Sequence, residues 1–411
     1  MSRLDVLIQE LCPDGVKFLS LTELFDTRNG YTPSKSNKGF WENGTVPWFR
    51  MEDIRENGRI LYDSLQHVSE SAVKGALFPA KSIIVATSAT IGEHALIMVD
   101  FLANQRFTCL MLKEQYKEKF DMKFLYYYCF RLDFYCLSCL NQGNFASVDM
   151  EKFSKFPFPL VPLGVQSEIV RILDNFTELI TELTKELTVR KKQYDYYRNK
   201  LLIFDAEIPM KNLDSLCVIS AGGDVPKDII SKEKTEKYSI PIISNGIGEN
   251  ALYGYTNIAK ITEPAVTIAA RGTIGYTEYR DYPYFPIIRL LSLIPKNNDE
   301  LNTKYLYYCL QGKEYRIPIS GIPQLTAPMV KKIEIPVPDL VIQKKIVSVL
   351  ENFDAICADL NIGLPAEIEA RQKQYEFYRD ALLTFAETGT IIRQTDRQTD
   401  RQTDRQTGIM L

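Results

Sequence analysis

Side chains that commonly carry out catalysis or bind metals are sparse in this sequence. It contains only two histidines, His67 and His94, and neither lies near a cysteine pair with metal-site spacing. Cys136 and Cys139 have the C-x-x-C spacing of two zinc ligands, but a zinc site requires four ligands and no second pair occurs. We therefore expect structural thiols at these positions and no metal site.

Motifs for nucleotide, dinucleotide and acyl chemistry are also missing from the sequence. There is no Walker-type phosphate loop and no G-x-S-x-G nucleophile motif, and Gly222-Gly223 lacks the rest of a dinucleotide fingerprint. A nuclease or a methyltransferase would need a carboxylate–lysine or cofactor motif, which the sequence does not provide. We therefore expect a binding protein that has no catalytic activity and needs no cofactor.

Overall composition limits the class of binding protein. The 411 residues, of which 45% are hydrophobic, can bury the cores of two or three domains. Residues 1–11 lack the apolar stretch of a signal peptide, no run approaches the roughly 18 apolar residues of a membrane span, and eight cysteines lack framework spacing. We therefore expect a cytoplasmic protein with reduced thiols. Since the net charge is −3, nucleic-acid binding would depend on local basic clusters or a charged partner.

The elements that position any binding residues are revealed by an internal repeat. Arg190–Phe204 matches Arg371–Phe385 at nine of fifteen positions, and upstream residues 166–173 pair with 343–350. The matches occur in the same order in both halves. This pattern predicts a globular segment, a long helix, a second globular segment, a second long helix and a tail. We call the two globular segments the first and second heads.

The heads correspond more loosely than the helices do. The aligned positions are Thr90-Ile91-Gly92 with Thr273-Ile274-Gly275, Arg106 with Arg289, and Gly30 to Pro33 with Gly223 to Pro226. Before the Thr-Ile-Gly turn, Ser82–Thr87 and Ala265–Ala270 are apolar runs typical of buried strands, and another apolar run follows as in a hairpin. Short helices are expected at Phe124–Phe130 and Tyr305–Leu310. Each head is therefore predicted to be a compact α/β domain.

The helical segments carry a heptad pattern of apolar residues. In the first copy these are Ile169, Leu173, Phe176, Ile180, Leu183, Leu187, Tyr194, Tyr197, Leu201 and Phe204. Gln166–Phe204 has 39 residues, or about 58 Å of helix. One copy alone could be an ordinary core helix, but two copies with the same spacing favour a coiled coil within the chain. Gly363 and Pro365 predict a break in the second copy near residues 361–365.

Together these features predict an α/β fold with two heads alternating with two long paired helices. The expected bounds are residues 1–157 and 206–335 for the heads, 158–205 and 336–386 for the helices, and 387–411 for the tail. The tail repeats Arg-Gln-Thr-Asp and is of low complexity. Its four-residue period is compatible with a four-nucleotide repeat, and we hypothesise that slippage there changes the reading frame, which is a form of phase variation.

This organisation resembles the specificity subunits of type I restriction–modification systems. The resemblance covers nearly all of residues 1–386. The phrases that carry it are Cys12-Pro-Asp-Gly-Val-Lys17, Gly30–Lys35, Val46–Arg50, Met51–Ile54, Ala89–Gly92, Asn104-Gln105, Asn141–Ser147, Phe156–Pro162 before Gln166, and Ile335–Pro338 before Gln343. Their order and duplication make the similarity specific.

The resemblance implies a non-catalytic DNA-binding subunit. In that family each head recognises one half of a bipartite, asymmetric site on double-stranded DNA. The helices pair antiparallel, set the spacer, and dock two methyltransferase subunits, with motor–nuclease subunits as further partners. The methyltransferases modify adenine with S-adenosylmethionine, and their asparagine–proline–proline–aromatic motif is absent here. The alternative is a coiled-coil scaffold that binds only proteins and has no DNA sequence preference.

Candidate DNA-binding residues follow from hydrogen-bonding chemistry, since Arg suits guanine and Asn or Gln suits adenine. For any single residue, an ordinary surface or loop role is the alternative. The candidates in the first head are Arg28, Asn29, Tyr31, Lys35, Arg50, Arg55, Ser88, Thr90, Asn104, Gln105, Arg106, Gln142 and Asn144. Those in the second head are Lys227, Ser244, Asn245, Arg271, Thr273, Arg289 and Gln324. Ser88 aligns with Arg271 and Arg50 with Ser244, as expected if the half-sites differ.

Two sets of helix residues have alternative interpretations. Stacking platforms for bases would use Tyr194, Tyr197, Tyr375 and Tyr378, but their heptad spacing favours core packing. The basic cluster consists of Arg190, Lys191, Lys192, Arg198 and Lys200. This cluster either contacts the DNA backbone between the heads or forms a solvated helix face.

Overall fold

The structure is a computed structural model, and it describes residues 3–141, 146–204, 208–226, 230–315, 317, 323–358 and 363–388, without the side chains of 386–388. The chain divides into two compact units. The first unit is formed by Met1–Glu182 together with Glu369–Leu411, and the second by Leu183–Ile368. Each unit therefore combines one head with parts of both helical copies.

Eleven α-helices occur in the described residues. They are α1 (Arg3–Leu11), α2 (Leu21–Leu24), α3 (Met51–Asn57), α4 (Met122–Ser138), α5 (Met150–Ser154), α6 (Leu163–Leu201), α7 (Leu213–Leu216), α8 (Thr303–Leu310), α9 (Ala327–Lys331), α10 (Leu340–Ala358) and α11 (Leu364–Thr388). The predicted short helices are confirmed as parts of α4 and α8.

The strands are short and are divided between the two heads. In the first head they are β1 (Lys17–Ser20), β2 (Phe25–Asn29), β3 (Val46–Phe49), β4 (Ile60–Leu61), β5 (His67–Val68), β6 (Ser82–Ala86), β7 (His94–Ile97), β8 (Leu102–Ala103), β9 (Phe107–Leu112), β10 (Leu140–Asn141), β11 (Ser147–Val148) and β12 (Pro157–Leu160). In the second head they are β13 (Met210–Asn212), β14 (Cys217–Ala221), β15 (Ile240–Ile243), β16 (Leu252–Thr256), β17 (Ala265–Ile268), β18 (Thr277–Arg280), β19 (Phe285–Pro286), β20 (Leu291–Pro295) and β21 (Glu334–Pro336).

The first head contains a five-stranded sheet with the order β2-β9-β6-β7-β4 and a three-stranded sheet with the order β5-β3-β8. The central strand β6 is buried along its whole length, because every side chain from Ile83 to Ala86 is apolar. Strands β6 and β7 are antiparallel, which confirms the predicted hairpin. Helix α4 contributes Phe124 and Leu132 to the same core as Ile83.

The second head repeats this arrangement. Its sheets have the orders β14-β20-β17-β18 and β16-β15-β19. Strands β17 and β18 form the second predicted hairpin, with Ala265 opposite Arg280. A parallel strand pair is also shared, since β3 pairs with β8 in the first head and β15 with β19 in the second. The duplicated sequence therefore produces a duplicated fold.

One predicted equivalence between the heads is shifted by a residue. The Gly30 amide donates to the Phe107 carbonyl at 3.0 Å, and the Gly222 amide donates to the Leu290 carbonyl at 2.8 Å. Gly30 thus corresponds to Gly222, and the alignment with Gly223 is wrong. Both positions need glycine, because a Cβ at Gly30 would lie 2.3 Å from a carbonyl oxygen of Ala103 and one at Gly222 would lie 2.8 Å from a backbone nitrogen.

A buried glutamine fixes the start of each helical segment to its head. Gln166 accepts a hydrogen bond from the Asp121 amide at 2.8 Å and donates to the carbonyls of Lys119 and Val161 at 2.8 and 2.6 Å. Gln343 accepts from the Asn302 amide at 2.9 Å and donates to the carbonyls of Glu300 and Pro338 at 2.8 Å each. Both side chains are fully buried. Each one satisfies three backbone groups that would otherwise lack partners.

The helical segments differ slightly from the expected bounds. Helix α6 has the predicted 39 residues but begins and ends three residues earlier than expected. The second copy consists of two helices, α10 ending at Ala358 and α11 beginning at Leu364, as the predicted break requires, while residues 359–362 lie outside the described chain.

Each unit also joins helical residues from both copies. In the first unit, the ring centroids of Phe176 and Tyr378 are 5.5 Å apart. In the second unit, those of Tyr197 and Phe353 are 5.7 Å apart. Tyr375 and Tyr194 also join the hydrophobic cores, which confirms the interpretation of these two tyrosines as packing residues. Tyr197 and Tyr378 contact a phenylalanine ring but remain partly exposed. A continuous coiled coil stays a prediction.

Candidate nucleic-acid interface

Parallel strands place polar residues of the first head at one edge. Strands β3 and β8 are parallel, with Trp48 opposite Leu102 and Phe49 opposite Ala103. Their carboxyl ends therefore meet, and the residues that follow are Arg50 on one strand and Asn104 on the other. The Asn104 amide donates to the Phe49 carbonyl at 2.9 Å, and this hydrogen bond holds the carboxyl ends of the two strands together.

Arg50 is held at the start of α3. Its amide donates to Oδ2 of Asp53 at 2.6 Å, and Asp53 is fully buried. The Arg50 guanidinium carbon lies 5.7 Å from the centroid of the Trp48 ring, and Nε lies 3.7 Å from a carboxylate oxygen of Glu52. The hydrogen bond to Asp53 fixes the backbone position of Arg50, and the cation–π contact with Trp48 stabilises its guanidinium group.

The turn after β8 presents the other candidates. Oδ1 of Asn104 accepts from the Arg106 amide at 3.0 Å, and the Phe107 amide donates to the Asn104 carbonyl at 3.1 Å. The Thr32 hydroxyl is hydrogen bonded to Oε1 of Gln105. Gln105 and Arg106 are exposed. This turn therefore directs one amide and one guanidinium side chain outward on a backbone fixed by its own hydrogen bonds.

These residues surround a cleft of about 610 Å³, which we call the first-head cleft. Its lining residues are Thr32, Lys35, Lys38, Trp41, Glu42, Trp48, Arg50, Met51, Glu52, Gln66, Asn104, Gln105, Arg106 and Phe107. Four basic side chains face two acidic ones, so this surface has a local positive surplus in an acidic chain. The structure thus brings together five of the predicted residues, namely Lys35, Arg50, Asn104, Gln105 and Arg106.

Several lining residues were not predicted from the sequence. Lys38, Gln66 and the two tryptophans line the same cleft as the candidates. Trp41 and Trp48 are the only tryptophans in the chain, and their rings meet edge to face at 5.0 Å. The clustering of a rare aromatic residue within about ten positions of Arg50 and Lys38 is the signal that would have identified them.

Other candidates in the first head do not line this cleft. Arg28 donates from Nη2 to the Ala76 carbonyl at 2.7 Å and lies over the Phe78 ring. Asn29 accepts from the Thr108 hydroxyl at 2.9 Å, and the Tyr31 hydroxyl donates to the Ala72 carbonyl at 3.1 Å. Arg55, Ser88 and Thr90 lie in the structure but outside the lining. Gln142, Asn144 and Lys227 lie outside the described residues.

The second head builds the same edge with different side chains. Strand β15 is parallel to β19, so Ser244 and Asn245 follow one strand and Arg289 lies beyond the other. Asn245 donates from Nδ2 to the Ile288 carbonyl at 2.7 Å and accepts from the Ala270 amide at 2.8 Å. The Asn245 side chain thus hydrogen bonds to backbone groups of two loops and stabilises this edge of the head.

Arg289 and Arg106 occupy the same position in the two heads, and both are exposed. Arg289 lies in the left-handed region at φ 61°, after Ile288 at 53°. The Arg289 amide donates to the Gly222 carbonyl at 3.0 Å, which holds this unusual backbone in place. Positive φ at two non-glycine residues is costly, so it persists only because the surrounding contacts determine it.

Arg271 and Gln324 are joined in the second head. Nε and Nη2 of Arg271 donate to Oε1 of Gln324 at 3.1 and 2.8 Å. The Thr273 hydroxyl donates to the Asn245 carbonyl at 2.5 Å, and Ser244 donates to the Ala251 carbonyl at 3.1 Å. Of the six described candidates in this head, five are therefore held by side-chain hydrogen bonds, and Arg289 is held by its backbone.

The basic cluster on α6 is partly neutralised by neighbours on the same helix. Arg190 lies 3.2 Å from a carboxylate oxygen of Glu186, and Arg198 lies 3.8 Å from one of Asp195. Lys191, Lys192 and Lys200 are exposed. Both interpretations of this cluster, backbone contact and a solvated face, are compatible with these positions.

The described part of the chain contains no disulfide and no metal site. All eight cysteines are free, and Cys136 and Cys139 are buried. Burial raises the pKa of the Cys136 thiol to about 12, so it is protonated at neutral pH. Residues 3–141 and the other described ranges contain no group of three or more potential metal ligands. No helix in those ranges combines the length and apolarity needed to cross a bilayer.

Comparison with known proteins identifies close relatives. The family described as "Type I restriction modification DNA specificity domain" matches residues 13–190 and again 207–370. The chain is 42% identical over 376 residues to the type I restriction enzyme EcoprrI specificity subunit of Escherichia coli, covering 87% of this chain and 92% of the relative. It is 32% identical over 297 residues to the EcoR124I/EcoR124II specificity subunit of Escherichia coli, covering 66% and 72%.

A solved structure supports the fold independently. A chain from work on complex assembly and conformational transition of the type I restriction–modification system aligns with a TM-score of 0.58. The alignment covers 92% of this chain and 98% of that chain, at 17% sequence identity. At that identity the likeness concerns the fold alone.

Proposed function

Because the chain belongs to the family of type I restriction–modification DNA specificity subunits, which are non-catalytic, we propose that it recognises a bipartite, asymmetric site on double-stranded DNA. Each head recognises one half-site, and the bound chain directs adenine methylation by partner methyltransferase subunits. Motor–nuclease subunits are further partners of the same complex. The proposed boundaries of the heads are residues 1–157 and 206–335, between helical segments 158–205 and 336–386.

The observation that carries this proposal is the shared edge of the two heads. In both, a parallel strand pair ends in loops that bear arginine or amide side chains. The arginine common to both heads, Arg106 or Arg289, is exposed, whereas neighbouring positions differ, with Arg50 in one head and Ser244 in the other. A residue that both heads share suits a contact to the phosphate backbone, which is the same in both half-sites. Residues that differ between the heads suit contacts to the bases of two unlike half-sites.

Local charge makes DNA binding compatible with an acidic chain. The first-head cleft concentrates Lys35, Lys38, Arg50 and Arg106 against two carboxylates, although the whole chain carries a net charge of −3. Affinity for DNA depends on phosphate charges neutralised at the interface and not on total charge. Partner subunits supply the remaining contacts to the backbone.

We also propose that the helical copies pair antiparallel and set the spacer between the half-sites. Early residues of α6 contact late residues of α11, as Phe176 does Tyr378, and late residues of α6 contact α10, as Tyr197 does Phe353. That order along the chain is the order of an antiparallel pair. The exposed faces of these helices are the proposed docking surface for two methyltransferase subunits.

Co-expression with the cognate methyltransferase subunit, followed by mapping of methylated adenines, tests this function. The expected result is one gapped motif with two unlike halves. Exchange of residues 206–335 for the corresponding segment of a relative should change one half and leave the other unchanged. A protein-binding scaffold, the alternative, would give no sequence preference, and head exchange would leave the methylation pattern as it was.

A further inference from the structure

A braced arginine distinguishes the second head from the first. Arg271 lies in the connection between β17 and β18, at the position that Ser88 occupies between β6 and β7. The loop is fixed on both sides, since the Ala270 amide donates to Oδ1 of Asn245 at 2.8 Å and the Leu325 amide donates to the Ala270 carbonyl at 3.0 Å. A fixed backbone limits the positions that the Arg271 side chain can reach.

The guanidinium group of Arg271 is itself oriented. Nε and Nη2 both donate to the same oxygen, Oε1 of Gln324, at 3.1 and 2.8 Å. A guanidinium has five N–H donors in a planar fork, so occupation of its Nε–Nη2 edge leaves the Nη1–Nη2 edge with two parallel donors. Gln324 therefore fixes the plane of the Arg271 guanidinium and leaves the donors of its Nη1–Nη2 edge available.

Two parallel N–H donors match the two acceptors of guanine in the major groove, O6 and N7. They also match two oxygens of a phosphate. A comparison of the two heads distinguishes guanine from phosphate as the ligand. Both half-sites have the same phosphate backbone, whereas their bases differ. Arginine is retained in both heads at Arg106 and Arg289 but is replaced by Ser88 at the position of Arg271. A position that changes between heads fits a base contact.

We propose that Arg271, oriented by Gln324, recognises a guanine in the half-site of the second head. Gln324 acts as a positioning residue through its acceptor oxygen. Ser88 lacks the donor pair, so the first head does not make the equivalent contact. This inference rests on the proposed DNA recognition and assigns a base to one side chain of that interface.

The test compares Arg271→Ala and Arg271→Lys with Arg289→Ala, an arginine of the same head. Each variant is co-expressed with the cognate methyltransferase, the methylated motif is mapped, and binding is measured on duplexes that differ at single positions. Arg271→Ala should lose about 10- to 100-fold of the preference for guanine at one position of one half-site, and Arg271→Lys should lose a smaller part of it, because lysine can donate to O6 and N7 but lacks the planar fork that Gln324 orients. The other half-site should keep its sequence. Arg271→Lys is the less disruptive variant, because it keeps the charge and removes only the fork. A reduced guanine preference in this variant, with nonspecific binding unchanged, excludes a purely charge-based role.

Gln324 variants separate orientation from folding. Gln324→Glu keeps an acceptor for the Arg271 edge and should retain the guanine preference, whereas Gln324→Ala should lose it at an unchanged melting temperature.

Unchanged base preference in both Arg271 variants would overturn the inference. So would uniform weakening on all sequences with a shallower salt dependence, which is the behaviour of a phosphate contact. If the unmodified chain gives no gapped motif, the proposed function itself has failed, and this outcome is distinct from the others.

Discussion

The ring of Phe176 stacks on the ring of Tyr378, with centroids 5.5 Å apart and planes inclined by 20°. The repeat relates Phe176 to Phe353 and Tyr378 to Tyr197, and these two rings stack at 5.7 Å and 26° in the second unit. One contact is therefore made twice, each time between a phenylalanine of one copy and a tyrosine of the other. This reciprocity is the expected consequence of a duplicated helix that pairs with its own copy.

The first prediction concerns this ring pair. Phe176→Ala and Tyr378→Ala should show a coupling free energy of about 0.5–1.5 kcal/mol in a double-mutant cycle, as measured for other aromatic pairs. Thermal unfolding of the four proteins provides the measurement. Leu179→Ala, at an exposed position of the same helix, is the control and should change stability little. Strictly additive effects of the two ring substitutions would show that the contact contributes no stability.

The second prediction concerns the buried glutamines. Gln343→Leu should leave the Asn302 amide and the carbonyls of Glu300 and Pro338 without partners, and each unsatisfied buried group costs about 1–3 kcal/mol. The melting temperature should fall by several degrees, as should that of Gln166→Leu. Gln372→Leu, at an exposed helix position, serves as the control. Equal melting temperatures for Gln343→Leu and the control would contradict the assigned role.

The third prediction concerns the basic residues shared by the heads. Arg106→Ala should weaken binding to specific and nonspecific DNA alike, because an exposed arginine on a common element suits the phosphate backbone. The slope of log K against log salt should decrease by about 0.9 for each phosphate that the variant no longer neutralises. Titrations at several salt concentrations measure it.

Lys117→Ala removes an equal charge from an exposed lysine that pairs with Glu114 and does not line the first-head cleft. The slope for this control should stay unchanged. If Arg106→Ala instead altered the methylated sequence motif, Arg106 would be a base contact, and the division between shared and differing residues would be wrong.

The fourth prediction concerns the pH dependence of stability through Asp354. Burial raises the pKa of this carboxyl, although the hydrogen bond that it accepts from the Tyr308 hydroxyl at 2.7 Å favours the charged form. A raised pKa means that the folded chain binds the proton more tightly than the unfolded chain does. The resulting stabilisation is complete below the unfolded pKa of about 3.9 and is lost as pH rises through the folded pKa.

Asp354→Asn should therefore raise the melting temperature at pH 7, because the amide keeps an acceptor for Tyr308 and carries no charge. The difference from the unmodified chain should shrink as pH falls, because the raised folded pKa leaves an increasing fraction of the carboxyl protonated. Asp299→Asn, at an exposed position, should show no such pH-dependent gain. A lower melting temperature for Asp354→Asn at pH 7 would mean that the charged hydrogen bond outweighs the cost of burial.

Much of the fold could be predicted because local patterns encode it. The apolar run at β6 and the turn after it specify a hairpin from residues that are close in the chain, and β17 and β18 repeat the pattern. Heptad spacing likewise specified one long helix of 39 residues. The sequence alignment paired Gly30 with Gly223, but the structure shows that Gly222 is its equivalent. Two adjacent glycines are indistinguishable in an alignment, and only the hydrogen bonds and close contacts near β19 and β20 identify the correct one.

The sequence alone determined the duplication, the α/β heads, the long helices and the family, because each of these is expressed in periodicity or in ordered motifs along the chain. Only the tertiary structure decided which candidates act together. The partners Arg271 and Gln324 are 53 residues apart, and Thr32 and Gln105 are 73 apart. Such pairs depend on strand order and parallel register, which bring distant loops to one edge, and no local pattern records that proximity.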